Sequence, residues 1–207
     1  MSELQTRALS AAVLIAAVLF IAWWHPISFA TLCAFGFVML WREWRGLTRG
    51  RGFAWAIFGL IYLGTACAGL AYIRFENLNI LWSIFAIVWA GDSAAYLVGR
   101  KIGRHKIAPT ISPGKSWEGL AASVIISAVV GATLGSVAPV PHAILGALFA
   151  LLGLGGDLFE SWLKRRAGVK DSGRLIPGHG GLFDRVDALI PCAIFAAFAL
   201  YIRLHLH

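Results

Sequence analysis

Residues 157–187, DLFESWLKRRAGVKDSGRLIPGHGGLFDRVD, hold six Lys/Arg, five Asp/Glu, one histidine and five glycines between apolar stretches. Charge beside lipid is expensive, so a block this dense needs a chemical reason. Carboxylates, cations and bare backbone N–H groups together suit phosphates carried with a divalent metal. Asp157, Glu160 and Lys164 fall at i, i+3 and i+7, one stripe of a helix. Asp171, Asp184 and Asp187 lie within 17 residues, among basic residues and glycines. That pattern reads as a metal site, and its oxygen donors favour Mg²⁺ or Mn²⁺ over zinc. The alternative for Asp184 and Asp187 is to complement the dipole of the helix they open. Pro177 to Gly181 forms a tight turn able to offer N–H groups to an anion. His179 within it reads either as a general base or as a loop and phosphate contact.

A second polar cluster occupies residues 91–119. Asp92 lies eight residues before Arg100, about 12 Å along a helix, and an intramembrane carboxylate is a functional candidate unless it pairs locally. Tyr96 and Arg100 follow at i+4 and i+8 on its face. Gly103 and Pro109 end that helix, and Ser112 to Lys115 reads as a turn before the next one. Ser112 or Ser116 could cap the following helix, or, with Lys115, bind phosphate at its N-terminus.

Those residues must be positioned by apolar elements. The chain has 207 residues, is 59% hydrophobic and 14% charged, with a mean hydropathy of +0.76. A soluble domain would carry about 25% charged residues. The composition predicts one all-α, polytopic membrane domain over 1–207, with a spanning scaffold over 1–80 and catalytic helices and loops over 81–207. Apolar runs at about 8–24, 27–41, 53–73, 78–99, 118–138, 142–163 and 188–206 give an expected seven spans. The first run ends in AWWHP and reads as a span, not a cleaved signal. With the N-terminus inside, 16 of the 18 Lys/Arg fall on the inner face, leaving Arg74 and Arg203 outside. The expected orientation is therefore N-in and C-out, with both polar clusters cytoplasmic. The net charge of +8 sits in loops, which points to an anionic leaflet and away from nucleic acid. The 42–51 cations read as loop anchors, with Trp41 and Trp44 as an interfacial belt. Cys33, Cys67 and Cys192 read as small buried hydrophobes. The Gly-rich stretch 131–135 would permit close packing, including in a homodimer.

The run Ser161-x-Leu163-Lys164-Arg165, then Lys170-Asp171-x-Gly173, then Ile176-Pro177-x-His179-Gly180-Gly181-Leu182-x-Asp184-Arg185-Val186-Asp187 closely resembles the hallmark of phosphatidate cytidylyltransferases, the CDP-diacylglycerol synthases. The stretch from Asp92-Ser93-Ala94-Ala95-Tyr96 through Ser112-Pro113 and Trp117-Glu118-Gly119 is similar to the family's other block. One departure is Gly114-Lys115-Ser116, where the family more often has Lys-Lys-Thr. The chain is also shorter than is usual for that family.

The resemblance implies condensation of CTP with phosphatidic acid to CDP-diacylglycerol and pyrophosphate, with Mg²⁺, at the cytoplasmic face of an inner membrane. It suggests a metal set of Asp171, Asp184 and Asp187, with Asp157 as a fourth candidate. Lys164, Arg165, Lys170 and Arg185 would hold phosphates, while Asp92, Ser112 and Lys115 close the site from the other loop. Tyr96, Ser116, Glu118, Ser161, Gly180 and Gly181 complete the expected substrate-binding set. The nearest rival chemistry is a CTP-dependent lipid kinase; a transporter coupling ions through Asp92 and the loop aspartates is the rival of another class.

Overall fold

The computed structural model describes residues 3–135, 138–173, 175 and 180–205. Each apolar run becomes a helix: α1 (Glu3–Trp24), α2 (Pro26–Leu47), α3 (Phe53–Glu76), α4 (Leu78–Ile102), α5 (Trp117–Leu134), α6 (Pro139–Arg166) and α8 (Leu189–His205), with the short α7 (Phe183–Val186) before the last. Among the described residues, four of them, α3 to α6, are long and apolar enough to cross a membrane; the apolar stretches counted in α1 and α8 are shorter.

Local chemistry sets the boundaries. His25 accepts from Ile27 N–H at 3.2 Å and Pro26 opens α2, a position where its missing N–H costs nothing. Asn77 alone joins α3 to α4: its N–H closes α3 on Ile73 O, and its Oδ1 accepts from Asn79 N–H. Arg74, expected as a stray outer cation, is buried, with Nε donating to Ala22 O and a guanidinium nitrogen to Trp23 O, the open end of α1.

Two expectations need correction. Helix α2 runs six residues beyond the apolar run that ended at 41, because its last turns are amphipathic and pack on α3 and α6. Ser112 to Ser116 is also not a turn: it is strand β2, antiparallel to β1 (Lys106–Ala108), and the turn lies at 109–111. An otherwise all-α chain thus carries one small hairpin between α4 and α5.

Helices α4, α5 and α6 approach through small residues. Gly91 faces Ser127 and Ser123, and Gly146 leaves no room for a Cβ against Ser127 O. Gly131 and Gly135 pack on His142 of the same chain, so the stretch read as permitting contact between copies is filled internally. A second core gathers α2, α3, α6 and α7 around Trp44, which is fully buried and donates to Trp55 O at 2.9 Å. Trp44 is therefore a core residue, not part of an interfacial belt. Of its neighbouring cations, Arg45 stacks on Trp41 and Arg51 on Trp55.

Candidate active site

Helices α4, α5 and α6 and the hairpin build the first half of the site. Helix α4 carries Asp92, Tyr96 and Arg100; Tyr96 is exposed and its hydroxyl accepts from Arg100 at 3.1 Å. The hairpin brings Lys115 and Ser116, and α5 and α6 supply the apolar wall through Leu120, Ala150 and Leu154. Together they enclose a cavity of about 450 Å³ lined by both polar and apolar residues. Ser116 is buried and accepts from Gly119 N–H at 3.2 Å, so it caps α5. Glu118 holds the strand leading into the hairpin, contacting His105 Nδ1 at 2.7 Å and its N–H at 3.2 Å. Ser112 pairs with Ala108 in the hairpin.

Lys115 crosses to α6 and forms an ion pair with Asp157. Burial works against its charge, yet the carboxylates of Asp157, Asp92 and Asp187 raise its pKa above the usual lysine value. Gly156 is packed against the carbonyl of Asp187, which sets Asp187 beside Asp157. Burial and the neighbouring Asp157 push Asp187 up to about 7, with Asp92 adding to the effect. Asp157 thus pairs with the ammonium directly, while Asp92 and Asp187 act on it electrostatically.

The second half lies along the same α6 stripe. Lys164 Nζ stands 2.5 Å from Glu160 Oε2 and 2.7 Å from Asp184 Oδ1. Asp184 Oδ2 accepts from Ser172 N–H (2.9 Å), Ser172 Oγ (2.9 Å) and Gly181 N–H (2.8 Å). Although burial opposes it, the Glu160 and Lys164 side chains and those two N–H groups hold Asp184 well below the usual carboxylate range. Glu160 is almost fully buried, and its Oε1 has no hydrogen-bond partner among the described residues. Ser161 is buried and donates to Asp157 at 3.4 Å, linking the two halves.

The remaining residues surround this centre. Arg165 donates to Ile111 O in the hairpin turn and to Val169 O. Lys170 and Asp171 are exposed on the loop after α6, and Arg185 is exposed on α7. Gly180 has φ +85°, and a Cβ there would lie 2.7 Å from Asp184 Oδ2 and 3.3 Å from Asp171 Cβ. Gly180 is thus required by backbone and by space. His179 lies outside the described residues, as do Arg174 and 176–178.

Sequence reasoning missed Glu43 and Ser172. Glu43, on α2, is buried and accepts from Leu182 N–H and Phe183 N–H, each at 2.8 Å, and from Ser172 Oγ at 3.1 Å. The N–H groups of residues 181–183 therefore serve the chain's own carboxylates, Asp184 and Glu43, while most of the Pro177 to Gly181 turn lies outside the described residues. A lone acid within the cationic run WREWR was the available signal for Glu43. Ser172 hid at the position the motif leaves unspecified between Asp171 and Gly173.

Among the described residues, no three of His, Cys, Asp and Glu close on one point as a ready-made metal cage. The donor chemistry around Lys115 nevertheless fits a hard cation: three carboxylates against one ammonium leave excess negative charge, which a divalent ion shared with phosphate oxygens would offset. Asp184 is differently placed, with both oxygens engaged by protein donors.

The sequence model of the cytidylyltransferase family matches residues 7–203. A phosphatidate cytidylyltransferase of Brucella suis is 38% identical over 168 residues, covering 78% of this chain and 59% of that protein. That of Rickettsia felis is 35% identical over 187 residues, covering 84% and 81%. That of Mycobacterium bovis is 41% identical over 150 residues, covering 70% and 49%. The chain thus spans 59% of the length of the Brucella relative and about half that of the mycobacterial one. These matches show that the chain belongs to the cytidylyltransferase family.

Proposed function

We propose that this chain transfers the cytidylyl group of CTP to phosphatidic acid, giving CDP-diacylglycerol and pyrophosphate. The observation that carries the reading is the grouping of Asp92, Lys115, Asp157 and Asp187 beside a cavity lined by both polar and apolar side chains. Such a lining suits a lipid phosphate with its acyl chains. The names of the relatives from Brucella suis and Rickettsia felis support the same substrates.

The lipid phosphate monoester has a second pKa near about 6, by analogy with phosphoamino acids, so its oxygen is already anionic at neutral pH. No general base is required. That oxygen attacks the α-phosphorus of CTP; the bond to the α–β bridging oxygen breaks, and its electron pair leaves with pyrophosphate. The protein's task is to bring two anions together and to stabilise the charge that develops on the leaving group. Lys115 holds phosphate at the centre, while Lys164, Arg165, Lys170 and Arg185 receive the triphosphate and lipid phosphate from the loop side. Asp157 and Asp187 would hold Mg²⁺ or Mn²⁺, which when bound supplies charge neutralisation to the pyrophosphate, with Asp92 and Asp171 as further candidate ligands. Asp184 fixes Lys164 and the loop.

The same reading places the protein in a bacterial inner membrane with seven spans, N-in and C-out, and the site at the cytoplasmic face where CTP is available. A homodimer is compatible with it. In mixed micelles with CTP, phosphatidic acid and Mg²⁺, pyrophosphate should appear in step with CTP loss and stop on adding EDTA. Release of CDP in place of pyrophosphate would overturn the reading.

A further inference from the structure

Glu43 is the single acidic residue of α2, and it is buried at 9% exposure. Its partners lie far along the chain: Ser172, Leu182 and Phe183 stand 129, 139 and 140 residues away. Two glycines clear the volume it occupies. A Cβ at Gly173 or at Gly181 would lie 2.7 Å from a Glu43 carboxylate oxygen. Residues 172–173 and 181–183 therefore meet this carboxylate together.

The contacts form a chain that reaches the site. The Ser172 hydroxyl stands between two carboxylates, 3.1 Å from Glu43 Oε2 and 2.9 Å from Asp184 Oδ2. The next N–H along, that of Gly181, goes to Asp184, while those of Leu182 and Phe183 go to Glu43. Asp184 in turn holds Lys164. We propose that Glu43 is a positioning residue of the active site: it touches no substrate, and it fixes the loop so that Asp184 holds Lys164 towards the phosphates. This assignment rests on the cytidylyl-transfer reading for its effect on rate, and on the loop contacts alone for its effect on structure.

Two backbone N–H donors, with a hydroxyl that is shared with Asp184, meet two oxygens, so an amide is a poor substitute. Glutamine offers one acceptor and turns its NH₂ towards a backbone N–H that needs an acceptor. Aspartate keeps the charge but is one methylene too short to span Ser172 and Phe183 together.

The test uses the full chain in detergent, with Glu43→Gln and Glu43→Asp beside the wild type. Hydrogen exchange is read first. The amides of Leu182 and Phe183 should exchange at least about tenfold faster in both variants, as expected for a lost charge-assisted bond, while α4 and α5 keep wild-type protection. In the cytidylyl-transfer assay, kcat should fall at least about tenfold with KM for CTP within about threefold, the pattern of a lost transition-state contact. Wild-type exchange at 182–183 overturns the proposal. So does a loss of rate that merely follows the loss of folded protein, with kcat per folded molecule unchanged. A wild type that makes no CDP-diacylglycerol would sink the functional reading, whereas the exchange result would still decide whether Glu43 holds the loop.

Discussion

Lys164 Nζ and Asp184 Oδ1 stand 2.7 Å apart across 20 residues of sequence, joining the polar end of α6 to the first turn of α7. The pair is mostly buried, with side-chain exposures of 12% and 9%. Asp184 also accepts two N–H groups and a hydroxyl, so it fixes the loop as well as the lysine.

Asp184→Asn should therefore lower turnover by about 100-fold or more and cost about 3 kcal/mol, the expected penalty for breaking one side of a buried pair. Initial rates and thermal unfolding in detergent check both parts. Near-normal activity in the folded variant would remove Asp184 from the machinery.

Lys115 pairs directly with Asp157, while Asp92 and Asp187 act on it electrostatically. Replacing it with methionine keeps the stem and removes the charge, and should reduce kcat/KM for CTP by about 100-fold or more, the scale of a lost electrostatic stabiliser. Lys115→Arg should recover part of this loss. Equal rates for lysine and methionine at this position would contradict the assignment of phosphate to the hairpin.

Two glycines near the site should behave oppositely. A Cβ at Gly181 would run into Ser172 Oγ and sit 2.7 Å from Glu43, so Gly181→Ala should cost about 1–3 kcal/mol by overpacking and lower activity sharply. A Cβ at Gly114 meets nothing within 4 Å, so Gly114→Lys should fold normally and keep activity within about threefold, as expected of an open surface position. Paired rate and unfolding measurements separate the two sites; a damaging Gly114→Lys would show that the cavity mouth needs a small residue.

Asp187 provides the pH prediction. Its folded-state pKa, about 7, lies above that of an unfolded aspartate, so the folded protein holds the extra proton between those values. Stability of the metal-free protein should then fall as pH rises through about 4 to 7 and level off above it. Asp187→Asn should flatten that slope. Unfolding temperatures in EDTA from pH 5 to 8 measure it, and parallel slopes for the two proteins would exclude Asp187 as the source.

Legibility of the fold followed the range of the forces involved. The helices were readable because each apolar run must be buried or meet lipid, whatever its neighbours do. The last turns of α2 were not, because their burial depends on Trp44 finding Phe58, Phe159 and Phe183 from other elements. The hairpin was hidden because Ser112-Pro113-Gly114-Lys115 carries turn residues, while its strand pairing comes from Lys106 to Ala108. Within the site, the stripe Asp157, Glu160 and Lys164 followed from helical spacing. Glu43 did not: it stood out as the lone acid of WREWR, but its partners lie 129 or more residues away and the run does not name them.

The central claim is cytidylyl transfer, and the fate of the phosphates of CTP tests it most directly. Purified protein in mixed micelles would receive phosphatidic acid, Mg²⁺ and CTP labelled at either the α- or the γ-phosphate, followed by extraction of the lipid. Cytidylyl transfer predicts that α-label enters the lipid phase and γ-label leaves as pyrophosphate. Label entering lipid from the γ-position would establish a kinase, and no lipid labelling from either position in folded protein would contradict the account and return the transporter reading.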